Sequence, residues 1–168
     1  MNWNNKTMTQ KKTWKRRLFL ILTLAWAVVI FWFSAQPAGD SSQISGGVSY
    51  RVVETADHIF GWNMTTEEQM MWAEKIEYPI RKAAHMTEYA IFAVLVLLTM
   101  GCGENVMKRC ALALAITAGY AATDEVHQLF VSGRSGRVTD VLIDSAGALT
   151  GLLITAAVIK LSRRRRDK

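Results

Sequence analysis

Apolar and polar positions along this chain fall into long blocks. Leu18 to Gly39 contains no charged residue, and three later windows, Tyr89–Gly103, Cys110–Thr123 and Ser145–Ile159, are also charge-free. A helix needs about 20 mostly apolar residues, at roughly 1.5 Å each, to cross a hydrocarbon layer about 30 Å thick. The first window is long enough alone. The others hold 15, 14 and 15 residues, so each must draw polar flanking residues into its span. The pattern predicts an all-α integral membrane protein with four transmembrane helices, at about 18–36, 80–100, 108–130 and 138–160.

Between the first two spans, residues 37–79 are amphipathic without being long enough to cross. Pro37 and Gly39 are expected to end the first helix. Val48, Val52, Val53, Ala56, Ile59 and Phe60 then form an apolar stripe that stops at Gly61. Thr65 with Glu68 reads as a capping box opening a second short helix to about Glu77, and Pro79 reads as the start of the second span. Seven acids in this region (Asp40, Glu54, Asp57, Glu67, Glu68, Glu74, Glu77) against Arg51 and Lys75 suggest an acidic lid on the outer surface.

Charge sets the expected orientation. Fourteen of the 20 Lys and Arg lie in residues 1–17, at Lys108 and Arg109, and in the tail from Lys160. The positive-inside rule puts those segments, and both termini, in the cytoplasm. The first 17 residues are expected to be disordered until their last few. Leu18 to Phe33 also has the layout of a secretory signal, but Gln36 and Pro37 stand where a cleavage site wants small residues, so an uncleaved first helix is expected. With the excess of the +6 net charge in two basic tails, no nucleic-acid role is indicated. Cys102 and Cys110 flank the cytoplasmic turn, lack a zinc-ligand spacing, and read as reduced and incidental.

All three short windows are completed at their outward ends. The second helix recruits Lys82, His85, Glu88 and Tyr89, the third Asp124, Glu125, His127 and Gln128, and the fourth Asp140 and Asp144. Asp124, His127 and Gln128 share a helix face, and Arg134 and Arg137 sit in the Gly-rich turn between the last two helices. Charges at that depth are costly in lipid, so a single polar site opening to the extracytoplasmic face is expected. On the last helix Asp140, Asp144, Gly147 and Gly151 follow one side, and small residues at such spacing admit a close neighbour.

Four ordered motifs, FSAQP, RKAAHMTEYA, DEVHQLF and GRSGRVTDVLIDSAGALTG, spread from Phe31 to Gly151, resemble the VanZ-like family, named for an accessory protein of teicoplanin resistance. The resemblance implies a small multi-helix protein of the bacterial cytoplasmic membrane, linked to glycopeptide or other envelope-directed antibiotics. It supplies no reaction. It carries over Ser34, Gln36, Pro37, Lys82, His85, Tyr89, Asp124, Glu125, Gln128, Phe130, Arg134, Asp140, Asp144 and Gly147. It also implies an Asn in many members at the position of Asp144, so this chain has one more potential negative charge.

Several chemistries fit these residues. Lys82, Arg134 and Arg137 could neutralise Asp124, Glu125, Asp140 and Asp144 in a structural ion network. The same groups, with His85, Tyr89 and Gln128, could bind an envelope lipid, a cell-wall precursor or an antibiotic headgroup, Arg134 and Arg137 together forking onto a phosphate or carboxylate, with Trp62 and Trp72 helping to exclude water. Catalysis would use His85 or His127 as base with Glu88, Asp124 or Glu125. No cofactor is expected; a divalent metal on His85, Glu88, Asp124 or His127 is a further option, although no complete metal or nucleophile motif is present. Ion conduction fits least, because the charges stop at the outer third. Membrane lipids are the expected partners, and the oligomeric state is open.

Overall fold

The computed structural model describes residues 3–101 and 105–166, with side chains at 10, 13–101 and 105–165. Cys102 and the basic side chains of Lys6, Lys11, Lys12, Arg166 and Lys168 lie outside the described residues. Every regular element among the described residues is an α-helix: α1 Trp3–Ser34, α2 Ala38–Phe60, α3 Thr66–Met100, α4 Val106–Gln128 and α5 Val138–Arg166. Three of them contain segments long and apolar enough to cross a membrane, Thr13–Ser34, Thr66–Met100 and Val138–Arg165. Their outward faces are apolar, with Ile21, Leu24 and Val28 on α1 and Leu153, Ile154 and Val158 on α5 all exposed. In a soluble protein such belts would aggregate; here they are the surface that lipid covers. This is an all-α membrane protein.

The central helix is α3, which packs against each of the other four. Its side chains Tyr89, Phe92, Ala93, Val96 and Leu97 form the core with Ile30 of α1, Ala113 and Ala121 of α4, and Ala148 and Leu152 of α5. The α3–α5 contact is the tightest. A Cβ on Gly147 would stand 2.2 Å from the Met86 carbonyl oxygen, and one on Gly151 2.9 Å from that of Ala90. The small stripe read from the sequence is therefore a backbone-to-backbone seam.

The segment before the second span differs from expectation. The first helix starts at Trp3 rather than after a disordered tail, and it ends at Ser34. Pro37 does not close it but is the N-cap of α2, which contains Gly39 and runs unbroken to Phe60. Pro79 does not start a helix either: it lies inside α3, which runs from the Thr65–Glu68 capping box to Met100. A proline inside a helix forfeits one backbone bond and costs about 3 kcal/mol. α2 offsets this by splinting α3 on both sides of the proline. Before it, the Tyr50 hydroxyl and Gln69 Oε1 are 3.1 Å apart and Gln69 Nε2 donates to Asp57 at 2.9 Å; after it, Arg81 donates to Ser42 Oγ at 2.9 Å. The face of α2 that is buried is Ser45, Ser49 and Val53. The apolar stripe read from the sequence is mostly turned outward, with Val48, Val52, Ile59 and Phe60 exposed.

Candidate functional site

The loop from α4 to α5 brings the ionic residues together. Successive turns bond Phe130 N to His127 O (3.0 Å), Val131 N to Gln128 O (3.1 Å) and Arg134 N to Val131 O (3.1 Å), and Ala38 N donates to Ser132 O at 3.2 Å. The loop is thus fastened to the start of α2. Gly133 adopts φ +73° against Ala38, and a Cβ on Gly136 would stand 2.4 Å from the Glu125 carbonyl oxygen. Both positions need glycine, one for backbone conformation and one for space.

Beneath this loop the acids are met singly. Asp124 is buried; its Oδ2 accepts from the Tyr89 hydroxyl at 3.2 Å and from Gln128 Nε2 at 3.4 Å, while its Oδ1 has no partner. Glu125 accepts from the backbone N–H of Arg137 at 2.8 Å. Asp140 pairs with Lys82 at 2.6 Å. Asp144 is buried and interacts electrostatically with Glu125, Asp124, Asp140 and Lys82.

A cleft of about 250 Å³ opens beside this cluster, lined by Gln36, Ser41, Arg81, His85, Glu88 and Arg134 among others. Arg134 donates from Nε to the Gln36 carbonyl at 2.9 Å and from Nη2 to the Phe33 carbonyl at 3.2 Å, so it closes the C-terminal end of α1. Burial lowers its pKa from the ordinary arginine value and the Arg81 charge lowers it further; guanidinium remains charged at any pH a cell meets. Arg81 pairs with Glu77 and reaches Ser42 and Ser45, while its Nε is buried with no partner. His85 Nδ1 is 3.9 Å from Glu88, beyond hydrogen-bond range. Among the described residues no three His, Cys, Asp or Glu side chains form a group that could hold a metal ion.

Residues 19–160 match the model of the VanZ/LLP1 family. The chain belongs to the VanZ/LLP1 family. No curated protein and no solved structure matches it.

In this VanZ/LLP1 protein Lys82, His85, Glu88, Tyr89, Asp124, Glu125, Gln128, Arg134, Asp140 and Asp144 all lie in one connected region at the same end of the bundle. Two expected members stand apart. Arg137 contributes its backbone N–H, but its exposed guanidinium turns to Ser135 Oγ at 3.3 Å, so the expected Arg134–Arg137 fork is not formed. The reason is that Gly136 holds the backbone of this turn against Glu125. His127 stacks on Phe31, with ring centroids 4.4 Å apart, rather than on a carboxylate. The second guanidinium of the cleft is instead Arg81, which sequence reasoning passed over. Its spacing of four from Glu77 was a usable signal, hidden by the reading of Pro79 as a helix start.

Proposed function

We propose that this VanZ/LLP1 protein crosses the bacterial cytoplasmic membrane four times and binds the headgroup of an envelope lipid, cell-wall precursor or antibiotic, through a phosphate or carboxylate, in its outward-facing cleft. Through that binding it contributes to resistance against glycopeptide antibiotics of the teicoplanin type, or against envelope stress. The orphaned Nε of Arg81, buried beside a cleft that also holds Arg134, carries this reading. A buried guanidinium donor without a partner is costly unless something supplies an acceptor, and phosphate oxygens match guanidinium geometry. α4, at 23 residues, is about 34 Å long, and as a fourth span it would hold its acids inside the bundle. The basic tails would then be cytoplasmic and the cleft outside.

The purely structural alternative draws on Arg134's bonds to α1 and on the Lys82–Asp140 pair. Antibiotic susceptibility of expressing cells, with protein levels verified by blot, separates the two. Under the binding reading Arg81→Gln loses protection at normal abundance, whereas Glu77→Gln, which frees Arg81 of its pair, keeps it. If both variants lose abundance and protection in parallel, the network is structural. Mass spectrometry of lipids from the same membranes would show whether the bound headgroup is also chemically altered.

A further inference from the structure

Among the described residues no element covers the outward-turned stripe of α2. Ile44, Val48, Val52 and Ala56 recur every four residues and so form one ridge, inclined to the helix axis, that winds from the outer face of α2 toward α3. The row does not stop at the cleft. Ile44 and Val48 are walls of the cleft itself, Val48, Val52 and Ala56 line the next recess along α2, and Val52 and Ala56 continue into an apolar groove of about 540 Å³ between α2 and α3. Trp62 and Trp72 lie at the far end of that groove. Cleft and groove are therefore joined along α2 as one trough, open on one side where Arg51 and Thr55 also line it, with two guanidinium groups at one end and only apolar side chains at the other.

We infer that the trough is a single site for an amphiphile of the outer leaflet, with the phosphate headgroup at Arg81 and Arg134 and one acyl chain lying along Val48, Val52 and Ala56 toward Trp62 and Trp72. This inference rests on the headgroup reading above and deepens it. Lengths place the chain outside the bilayer: α3 has 35 residues and is about 52 Å long, against a hydrocarbon thickness of about 30 Å, so its first half and the α2 segment beside it project beyond the layer. A chain drawn up into the groove exchanges lipid for apolar contact on one side along its path. From Val48 to Phe60 the row covers about 18 Å of helix axis, the reach of an extended fatty-acyl chain. Glu77 is held by Arg81 and Ser45 outside the cleft lining; Glu88, the acid that lines the cleft, lies 3.9 Å from His85 Nδ1 and can receive a cationic group on the same headgroup.

Two variants act on different terms of one measurement. Purified protein in amphipol is titrated with monomeric lysophosphatidylglycerols of increasing chain length and, in parallel, with lysophosphatidylethanolamines. Affinity should rise for each two added carbons, by about fourfold if the chain is half covered and about 15-fold if it is fully buried, until the groove is full. Arg81→Gln should lower affinity by the same factor at every length. Val52→Asn, at a half-exposed position that folding tolerates, should flatten the dependence on length, and Ala56→Trp should do so by filling the groove. A length dependence untouched by both groove variants overturns the single-site inference and leaves the headgroup reading standing. If Arg81→Gln changes nothing while Val52→Asn flattens the slope, the headgroup reading fails and the trough is a chain site alone. Tighter binding of the ethanolamine series that is lost in Glu88→Gln assigns Glu88 to the ammonium; equal binding of both series removes Glu88 from the site.

Discussion

Asp124 shows how the buried acids of this protein are held. It is 4% exposed, and it is met by neutral groups, Tyr89, Gln128 and the Ser34 hydroxyl, rather than by a hydrogen bond from a cation. Removing the tyrosine hydroxyl leaves the buried carboxyl with Gln128 and the facing Ser34 hydroxyl, so Tyr89→Phe should destabilise the protein by about 1–3 kcal/mol. The cost should shrink in an Asp124→Asn background, and thermal unfolding in detergent of the two single variants and the double measures that coupling. Arg134 behaves differently. Because burial lowers its pKa in the folded protein, the folded state holds this proton less tightly than the unfolded chain. That cost is the same at every pH below the depressed value and is relieved only above the unfolded one. The titration of Arg134 itself therefore adds no pH dependence to stability across roughly pH 5–9, and a difference between the unfolding midpoints of Arg134→Gln and the parent that changes with pH reports the Glu88 and His85 side chains that face it. Sequence placed Asp124, Glu125, Gln128 and Arg134 at one site because their spacing and the short apolar windows left nowhere else for them. It could not show which acid meets which donor, since backbone N–H groups such as that of Arg137 carry no side-chain signature.

The apolar parts of α1, α3, α4 and α5 were legible because long charge-free blocks dominate them, although α1 begins at Trp3 rather than 18 and α3 at Thr66 rather than 80. The failure lay in residues 37–79, where local signals compete with tertiary packing. Pro37, Gly39 and Pro79 all read as punctuation, yet α2 and α3 run past Gly39 and Pro79 because the two helices brace each other. Pro79→Ala should then leave helix content unchanged and raise stability by about 1–3 kcal/mol, as circular dichroism melts would show; a loss of helix would restore Pro79 as a boundary. The seam of α5 makes the opposite prediction. Gly147→Ala places a methyl group on the Met86 carbonyl and should cost about 1–3 kcal/mol. Gly119→Ala, where a Cβ meets nothing within 4 Å, should be stabilising by about 0.5–1 kcal/mol.

At the scale of the molecule, three short apolar windows give a bundle whose ionic residues gather at one end, beside a cleft between α2, α3 and the α4–α5 loop. The family match over residues 19–160 supports the assignment of the chain without naming its ligand, so the side of the membrane on which the cleft opens decides what it can meet. The most direct measurement is labelling of single cysteines in intact cells with a membrane-impermeant thiol reagent, after replacement of Cys102 and Cys110. Gln43→Cys on α2 and Ser135→Cys in the α4–α5 loop are both exposed and flank the cleft, while Ser162→Cys is exposed at the opposite end of α5. Labelling of the first two in intact cells, and of Ser162→Cys only after lysis, is the predicted result. Ser135→Cys and Gln43→Cys labelled from opposite sides, or both reached only after lysis, would contradict an outward-facing cleft.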